Sequence, residues 1–537
     1  MKLIILDFFK KLRILQEYKK INSKLFSSNK ESKNIVLVEF NAFHSDHVFF
    51  SYFSNVLSKK FDAKIVGFYN YKLIVSKLKE NLIEKIKWKL SNIINYKNFG
   101  VYRSFGTKEI FKPNIDKNIE AKSFLLHKKI IKNLKTKNDI YKIKINEHLL
   151  GDLIYDSYLK FNYFPTINIK DQNFKIFLYE FICLYLYWEK FFKEKSVKAI
   201  LGVHAHYSYA IPMRIAFKKK IPVYLHNEGR VFYLTDEHKY QFSEYKFFRK
   251  IYSKFSLDQK KNCLKIGEKL ILNRISGKTG GLAGTTFISK SSFRKSRKIV
   301  LKKSKNIKIL ICTQDFFDAI NVYGTSHFPD FVEWLKFLGE LSEITDYDWY
   351  IKDHPNYAGK YEKYQPFTTN VTKQILKKYK RIKYLKPETK HNDIVYSGIN
   401  YVITVFGSVA FEYPYFNIPV ITSTKNEPTR FYNFNLKTKN KEHMKKLILS
   451  LKKKKFKFDK NEIKQFYYFY FSHFGNSNFY DRYNEFNLKT KNWDKYWSND
   501  YYNFWMKNLS EKSHKVMVKK TETFIESREY CMSKFYK

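Results

Sequence analysis

Twice along this chain a short apolar run ends in a polar loop, and the loop opens a helix that leads back to another apolar run. In the first half Ile35 to Phe40 reads as a buried strand, Asn41 to His47 as the loop, Val48 to Lys59 as the helix, and Lys64 to Tyr69 as the next strand. In the second half Ile307 to Cys312 is followed by a loop carrying Gly324, Thr325 and Ser326. A helix from about Phe328, with Pro329 in its first turn, and the strand Trp349 to Lys352 complete the repeat. Strands joined through helices pair in parallel and are covered on both faces, which is the unit of a doubly wound sheet. The expected fold is therefore α/β, with two Rossmann-like doubly wound parallel-sheet domains. A length of 537 residues exceeds one ordinary core, and 44% hydrophobic residues suffice for two.

Residues 1–33 form an amphipathic helix and a polar linker, and 34–290 are expected to be the first domain. Within it, residues from about 73 to 194 read as a helical insertion. The strand–helix–strand order resumes at Val197 to Val203, Ala210 to Lys218 and Pro222 to His226. The only Gly-dense stretch, Ser276 to Gly284, precedes a charged linker and sets the expected boundary. It lacks the order of a phosphate loop, because Lys278 follows directly on Gly277 and no strand precedes it. The second domain spans 300–455, with strands at Ile382 to Tyr384, Tyr401 to Val405 and Pro419 to Thr422. A helical C-terminal tail covers 456–537.

Lys and Arg number 101 against 50 Asp and Glu, a formal charge of +51. Such a charge suits anionic partners, yet the richness in Lys, Asn, Ile, Phe and Tyr fits a skewed codon usage equally well. Cys183, Cys263, Cys312 and Cys531 are scattered without CxxC or His/Cys metal spacing, so neither a disulfide framework nor a bound metal is expected. No apolar run is long enough for a spanning helix, and the expected location is the cytoplasm. Read as a helix, the N-terminus gathers Leu3, Ile4, Phe8, Leu12 and Leu15 on one face among lysines. That face either lies on the inner surface of an anionic membrane, as a peripheral anchor, or packs on its own domain.

Chemistry concentrates where strands end. In Val402 to Ser423 a buried strand runs into Gly407-Ser408 and a helix begins there. Glycine lets a ligand approach the backbone, and serine can cap the helix and donate to a phosphate. Glu412 lies one turn on, where a carboxylate suits hydroxyls rather than phosphates. In WYIKDHPNY, Lys352, Asp353 and His354 end another strand, with Pro355 holding His354 extended. Lys352 and His354 can stabilise a departing diphosphate. In the first loop Asp46, with His44 or His47, can deprotonate a hydroxyl, or Asp46 or Ser45 simply caps the helix.

A strand-terminal K-x-H-P followed by strand–Gly-Ser–xxx–Glu–helix–Pro-Val resembles the C-terminal half of GT-B glycosyltransferases, nearest the capsule and surface-polysaccharide group. The resemblance implies that His354 meets donor phosphates or sugar, Gly407 and Ser408 the diphosphate, and Glu412 ribose or sugar hydroxyls. Ala199 to Arg230 resembles the last strand–helix–strand of the first domain in the same group. By that likeness His204, His206 and Tyr207 face the cleft, with Arg214 on the intervening helix, while Glu228 and Arg230 end the next strand. Any of them can contact acceptor or donor, and the two histidines can instead be structural or bind adventitious metal. The implied activity is metal-independent transfer of a sugar from a nucleotide-activated donor, with no cofactor, to a glycan or lipid-linked acceptor. The resemblance also implies a C-terminal tail that crosses back to the first domain. Two alternatives stay open. One is nucleotide-sugar epimerisation or polyol-phosphate transfer on the same fold, and the other a non-enzymatic basic protein binding nucleic acid or membrane. No specific nucleic-acid motif is present.

Overall fold

The computed structural model describes residues 2–26, 31–40, 46–73, 82–227, 230–278, 292–294, 296–354, 364–474 and 500–533. Of residues 2–11, 364, 365 and 500 it describes the backbone alone. Two compact units result. The first comprises Met1–Asn162, Ile167–Gln241 and Asn476–Lys537, and the second Tyr163–Thr166 and Phe242–Gly475.

In the first unit, β1 (Asn34–Phe40), β2 (Lys64–Tyr69) and β3 (Thr107–Phe111) precede a two-stranded ribbon of β4 (Lys144–Ile145) and β5 (His148–Leu149). Then come β6 (Ser196–Gly202), β7 (Val223–Asn227) and β8 (Arg230–Leu234). The main sheet has the order β3-β2-β1-β6-β7-β8, parallel except for β8, which pairs antiparallel with β7. In the second unit, β9 (Lys308–Cys312), β10 (Asp348–Lys352), β11 (Ile382–Leu385), β12 (Tyr401–Thr404), β13 (Val420–Thr422) and β14 (Leu436–Lys437) form a parallel sheet of order β11-β10-β9-β12-β13-β14. Both orders reverse direction beside the first strand of their unit, the doubly wound Rossmann arrangement. The chain thus holds two Rossmann-like domains. Central strands such as β1 and β9 are mostly apolar because helices cover both faces.

Several elements differ from the sequence expectation. The stretch 73–194 is not purely helical: it contains β3, the edge strand, and the β4–β5 ribbon. Arg230 does not end β7 but begins β8, whose antiparallel return is a hairpin that the strand–helix alternation hid. The helix after β9 starts at Phe331, with the Asp330 carboxylate accepting from the Glu333 amide at 2.8 Å. Pro329 therefore precedes the cap. Packing divides the chain after Gln241, not near residue 290. The helix Leu257–Ile275 belongs to the second unit because it lies on Lys460–Tyr468, so closely that a Cβ on Gly267 would overlap the Lys464 carbonyl.

The expected tail also divides. Lys460–Tyr468 stays with the second unit, while Asp500–Asn508 and Glu511–Ser527 join the first. There Tyr501, Tyr502, Trp505 and Phe524 enter one core with Val36, Phe49 and Phe53. That core also takes Leu15 and Tyr18 of α1 (Lys2–Leu25), so the described side of the N-terminal helix packs on its own domain. Leu3, Ile4 and Phe8 lie outside the described side chains. The Gly-dense stretch beyond Lys278 lies outside the described residues.

Candidate functional site

Where a parallel sheet reverses its winding, the loops leaving the two central strands diverge and open a crevice at their carboxyl ends. In the second unit that point lies between β9 and β12. Gly407, three residues beyond β12, is the closest approach. A Cβ there would stand 2.9 Å from Thr404 Oγ1 and 3.4 Å from Gln314 Nε2, so glycine is what lets the two loops meet. The Gly407 amide donates to Thr404 Oγ1 at 3.2 Å, and those of Ala410 and Phe411 donate to the Gly407 and Ser408 carbonyls. The amides between them are those of Ser408 and Val409. Phe406, Gly407 and Ser408 are half-buried, so the turn is open to solvent.

Two expectations need correction here. Ser408 makes no capping bond, having already turned helical at φ −57° and ψ −21°. The α-helix it opens is only Val409–Glu412, before Pro414 helps tighten the chain into a 3₁₀ turn, Tyr413–Phe416. So short a helix has little macrodipole. Glu412 does not stand open to a ligand's hydroxyls: it is buried and accepts a 2.6 Å bond from Arg274 Nε. Burial works against the Arg274 charge, but Glu412 outweighs it and holds the guanidinium above its usual range.

Arg274 anchors a positive cluster that the sequence reading missed, since it lies far upstream on the helix Leu257–Ile275. Its guanidinium sits 5.3 Å over the Phe293 ring, and His391 stacks on that ring at 5.0 Å. His391 Nδ1 shares a 2.7 Å hydrogen bond with Tyr413 Oη. Burial, then the positive fields of Lys352, Arg274 and His354, push His391 well below the ordinary histidine range. Burial also lowers Lys352, against the pull of Cys312, Asp353, Glu388 and Glu412. The Cys312 thiol is driven up to about 12 by burial, which makes it inert as a nucleophile.

Asp353 braces the turn that carries Lys352 and His354. Its carboxylate accepts from Thr313 Oγ1 at 3.0 Å, Thr372 Oγ1 at 2.6 Å and Tyr384 Oη at 2.9 Å. His354, at the end of this turn, is half-buried. Asp346 and Asp348, two apart and able in principle to share a cation, sit instead at the amino end of β10. Asp346 is exposed there, with Arg381 Nη2 at 3.4 Å.

In the first unit the sheet reverses between β1 and β6. Glu39, the penultimate residue of β1, is buried there, and its Oε2 accepts the Val203 amide at 2.8 Å. A Cβ on Gly202 would overlap Met213 Cε and meet that oxygen at 3.0 Å, so glycine leaves room for both. Burial raises Glu39 to about 7, against the Val203 bond, with Asp46 adding to the rise. Glu39 was missed because one acid in an apolar strand carries no motif.

Asp46 opens α2 (Asp46–Phe61) and is buried, its Oδ1 2.6 Å from His226 Nδ1 on β7. Asp46 thus bonds to His226, a partner the sequence, which pointed to His44 or His47, did not suggest. Burial raises the Asp46 carboxyl, and His226 pulls it back. His44 and Glu228 lie outside the described residues. His204, His206 and Tyr207 do converge. Their rings lie 5.0 Å (His204–His206) and 4.3 Å (His206–Tyr207) apart, and Asn227 Nδ2 donates to His204 Nδ1 at 2.8 Å. Tyr207 has φ 62° and ψ −177°, a conformation normally reserved for glycine, and strain of that kind gathers at ligand sites. Arg230 is buried at the start of β8. Arg214 makes a buried 2.6 Å pair with Asp152, reinforced by Tyr240 Oη at 3.0 Å, which is a packing role.

No family model matches the chain, and no curated protein matches it. Among solved structures it is similar to the Thermosulfurimonas dismutans KpsC β-Kdo 2,4-transferase, at 11% identity over 51% of this chain and 79% of that one, with a TM-score of 0.30. It is similar to the Methanocaldococcus jannaschii UDP-GlcNAc 2-epimerase in complex with UDP-GlcNAc and UDP, at 12% identity over 80% and 97%, with a TM-score of 0.24. The S. aureus MnaA–UDP co-structure matches at 11% identity over 86% and 98%, with a TM-score of 0.23. Scores this low do not discriminate between reactions, so residues and strand order carry the functional reading.

Two outcomes are expected from these sites. Glu412→Ala should lower stability by about 3–5 kcal/mol by stranding a buried guanidinium, and Arg274→Met/Glu412→Leu should recover most of the loss. Urea unfolding of the three proteins measures this. Glu39, raised in the folded state, stabilises fully below pH 4.5 and loses that contribution as pH rises through about 7. Wild type should therefore fall relative to Glu39→Gln by up to about 3 kcal/mol between pH 4.5 and 8, as read from unfolding midpoints.

Proposed function

We propose that this chain is a glycosyltransferase that moves a sugar from a nucleotide-activated donor to a hydroxyl of a glycan or lipid-linked acceptor. The observation that carries the proposal is the positive cluster beside an open Gly-Ser turn at the sheet reversal of the second unit. Lys352 and Arg274, with the His354 imidazole, gather where a diphosphate would gain negative charge on leaving. Gly407 permits backbone approach, and Ser408 contributes a hydroxyl not used in capping. Gln314 lies near Gly407 from the loop after β9 and adds a polar group that sequence did not suggest. Glu412 acts here through Arg274, as a positioning residue.

Glu39 is the base this reading favours. A carboxyl with a pKa near 7 is charged often enough to accept a proton at neutrality, yet basic enough to drive its removal. The acceptor oxygen bonds to the anomeric carbon while the bond to the diphosphate breaks. A base takes the hydroxyl proton, and the departing electron pair rests on phosphate oxygen near Lys352 and His354. Asp46, bonded to His226, holds the surrounding polar cluster, and His204, His206, Tyr207 and Arg230 remain acceptor-side candidates. No metal or cofactor enters these steps. A surface polysaccharide is the acceptor class we favour, because a chain with 101 basic against 50 acidic residues suits anionic glycans and lipid carriers.

Thermal-shift measurements with UDP, GDP, CMP and CDP test the donor site. One nucleotide should stabilise wild type, and His354→Ala and Gly407→Val should lose that shift. Glu39→Gln should keep it but lower acceptor-dependent turnover by about a hundredfold or more. Stabilisation by DNA and by no nucleotide would remove the proposal, and release of a free epimer without acceptor would replace transfer with epimerisation.

A further inference from the structure

The helix α3 (Leu82–Ile93) of the first unit has no buried residue, although it is among the most amphipathic helices of the chain. Leu82, Ile83, Ile86, Leu90, Ile93 and the following Ile94 are each between 47% and 74% exposed. At 100° per residue these six fall within an arc of about 120°, one continuous apolar stripe. An amphipathic helix ordinarily turns such a stripe inward; this one turns it to solvent.

The opposite face holds the helix down. Trp88 packs edge-on against Phe40 at 5.6 Å, Tyr69 at 5.3 Å and Phe99 at 4.9 Å, with Lys112 Nζ 4.2 Å from its ring centre. Asn92 Nδ2 donates to the Ile110 carbonyl at 3.2 Å, and Arg103 Nη2 donates to Asn92 Oδ1 at 3.1 Å. The outward stripe is therefore the fixed orientation of an anchored helix. Lys85, Lys87 and Lys89 are exposed, and Lys87 and Lys89 fall on either side of the stripe; Glu84 is the helix's one acid.

We infer that α3 is a docking surface for an anionic lipid bilayer, lying in the plane of the interface with its apolar stripe among the acyl chains. An apolar arc rimmed by lysine is the pattern that binds such surfaces, the arc supplying burial and the lysines attraction to anionic headgroups. A second copy of this chain is the poorer occupant: it would set lysine rim against lysine rim between two molecules that each carry a formal charge of +51. No described helix is long and apolar enough to cross a membrane, so the attachment is to its surface. The inference is independent of the donor-site reading.

Flotation of the full chain with phosphatidylcholine vesicles containing phosphatidylglycerol, against phosphatidylcholine alone, tests it. Wild type should bind the anionic vesicles preferentially, and Ile86→Glu/Leu90→Glu should bind at least about tenfold more weakly at an unchanged melting temperature. Because Cys183, Cys263, Cys312 and Cys531 are all buried, Ile86→Cys takes a polarity-sensitive fluorophore selectively. Its emission should shift to the blue with anionic vesicles. Undiminished binding by the double variant, absence of wild-type binding, or an unshifted probe would each overturn the inference. So would lipid-free self-association that the double variant abolishes, since a second copy would then be the occupant.

Discussion

A parallel sheet covered on both faces has no room for polar chemistry along its length. Its side chains are committed to the two helical layers and its amides to neighbouring strands, so ligand-binding groups collect in the loops at the carboxyl edge. They collect most where the winding reverses, because there the loops part. Each unit of this chain obeys that constraint. Glu39 with Val203 marks the reversal in the first, and Gln314 with Gly407 in the second. In both, a glycine makes the approach possible: Gly202 beside Glu39, and Gly407 beside Gln314.

The two sites differ in sign. The first gathers carboxylates, Glu39 and Asp46, in surroundings that raise both. The second gathers basic side chains, and burial holds two of them, Lys352 and His391, below their usual range. A raised carboxyl suits proton removal, while crowded cations suit a group that becomes more negative as it leaves.

The sheets were legible because β1, β2, β9, β10 and β12 are predominantly apolar runs bounded by polar loops, a local signal that burial on two faces demands. β3 was not, since Thr107–Phe111 lies on the edge of its sheet and its sequence, TKEIF, alternates like a solvated strand. β8 was hidden for another reason: it begins only three positions after β7 ends, too close for a helix to announce it. Lys352, His354, Gly407 and Ser408 could be placed at the carboxyl ends of their strands because they end or closely follow them. Arg274, His391, Gln314, Glu39 and His226 could not be found. Each acquires its surroundings from segments distant in sequence, and Arg274 reaches Glu412 across 138 positions. Glu412 was legible as a residue but not as a partner, because only the fold reveals the guanidinium that occupies it.

Hydrogen–deuterium exchange of the whole chain, with and without a saturating nucleoside diphosphate, addresses the central claim most directly. Ligand held at the second unit's sheet reversal should slow exchange in peptides covering Cys312–Asp315 and Thr404–Glu412, and leave β6 to β8 unchanged. Protection confined to other segments, or none at saturation, would contradict a donor site built around Gly407.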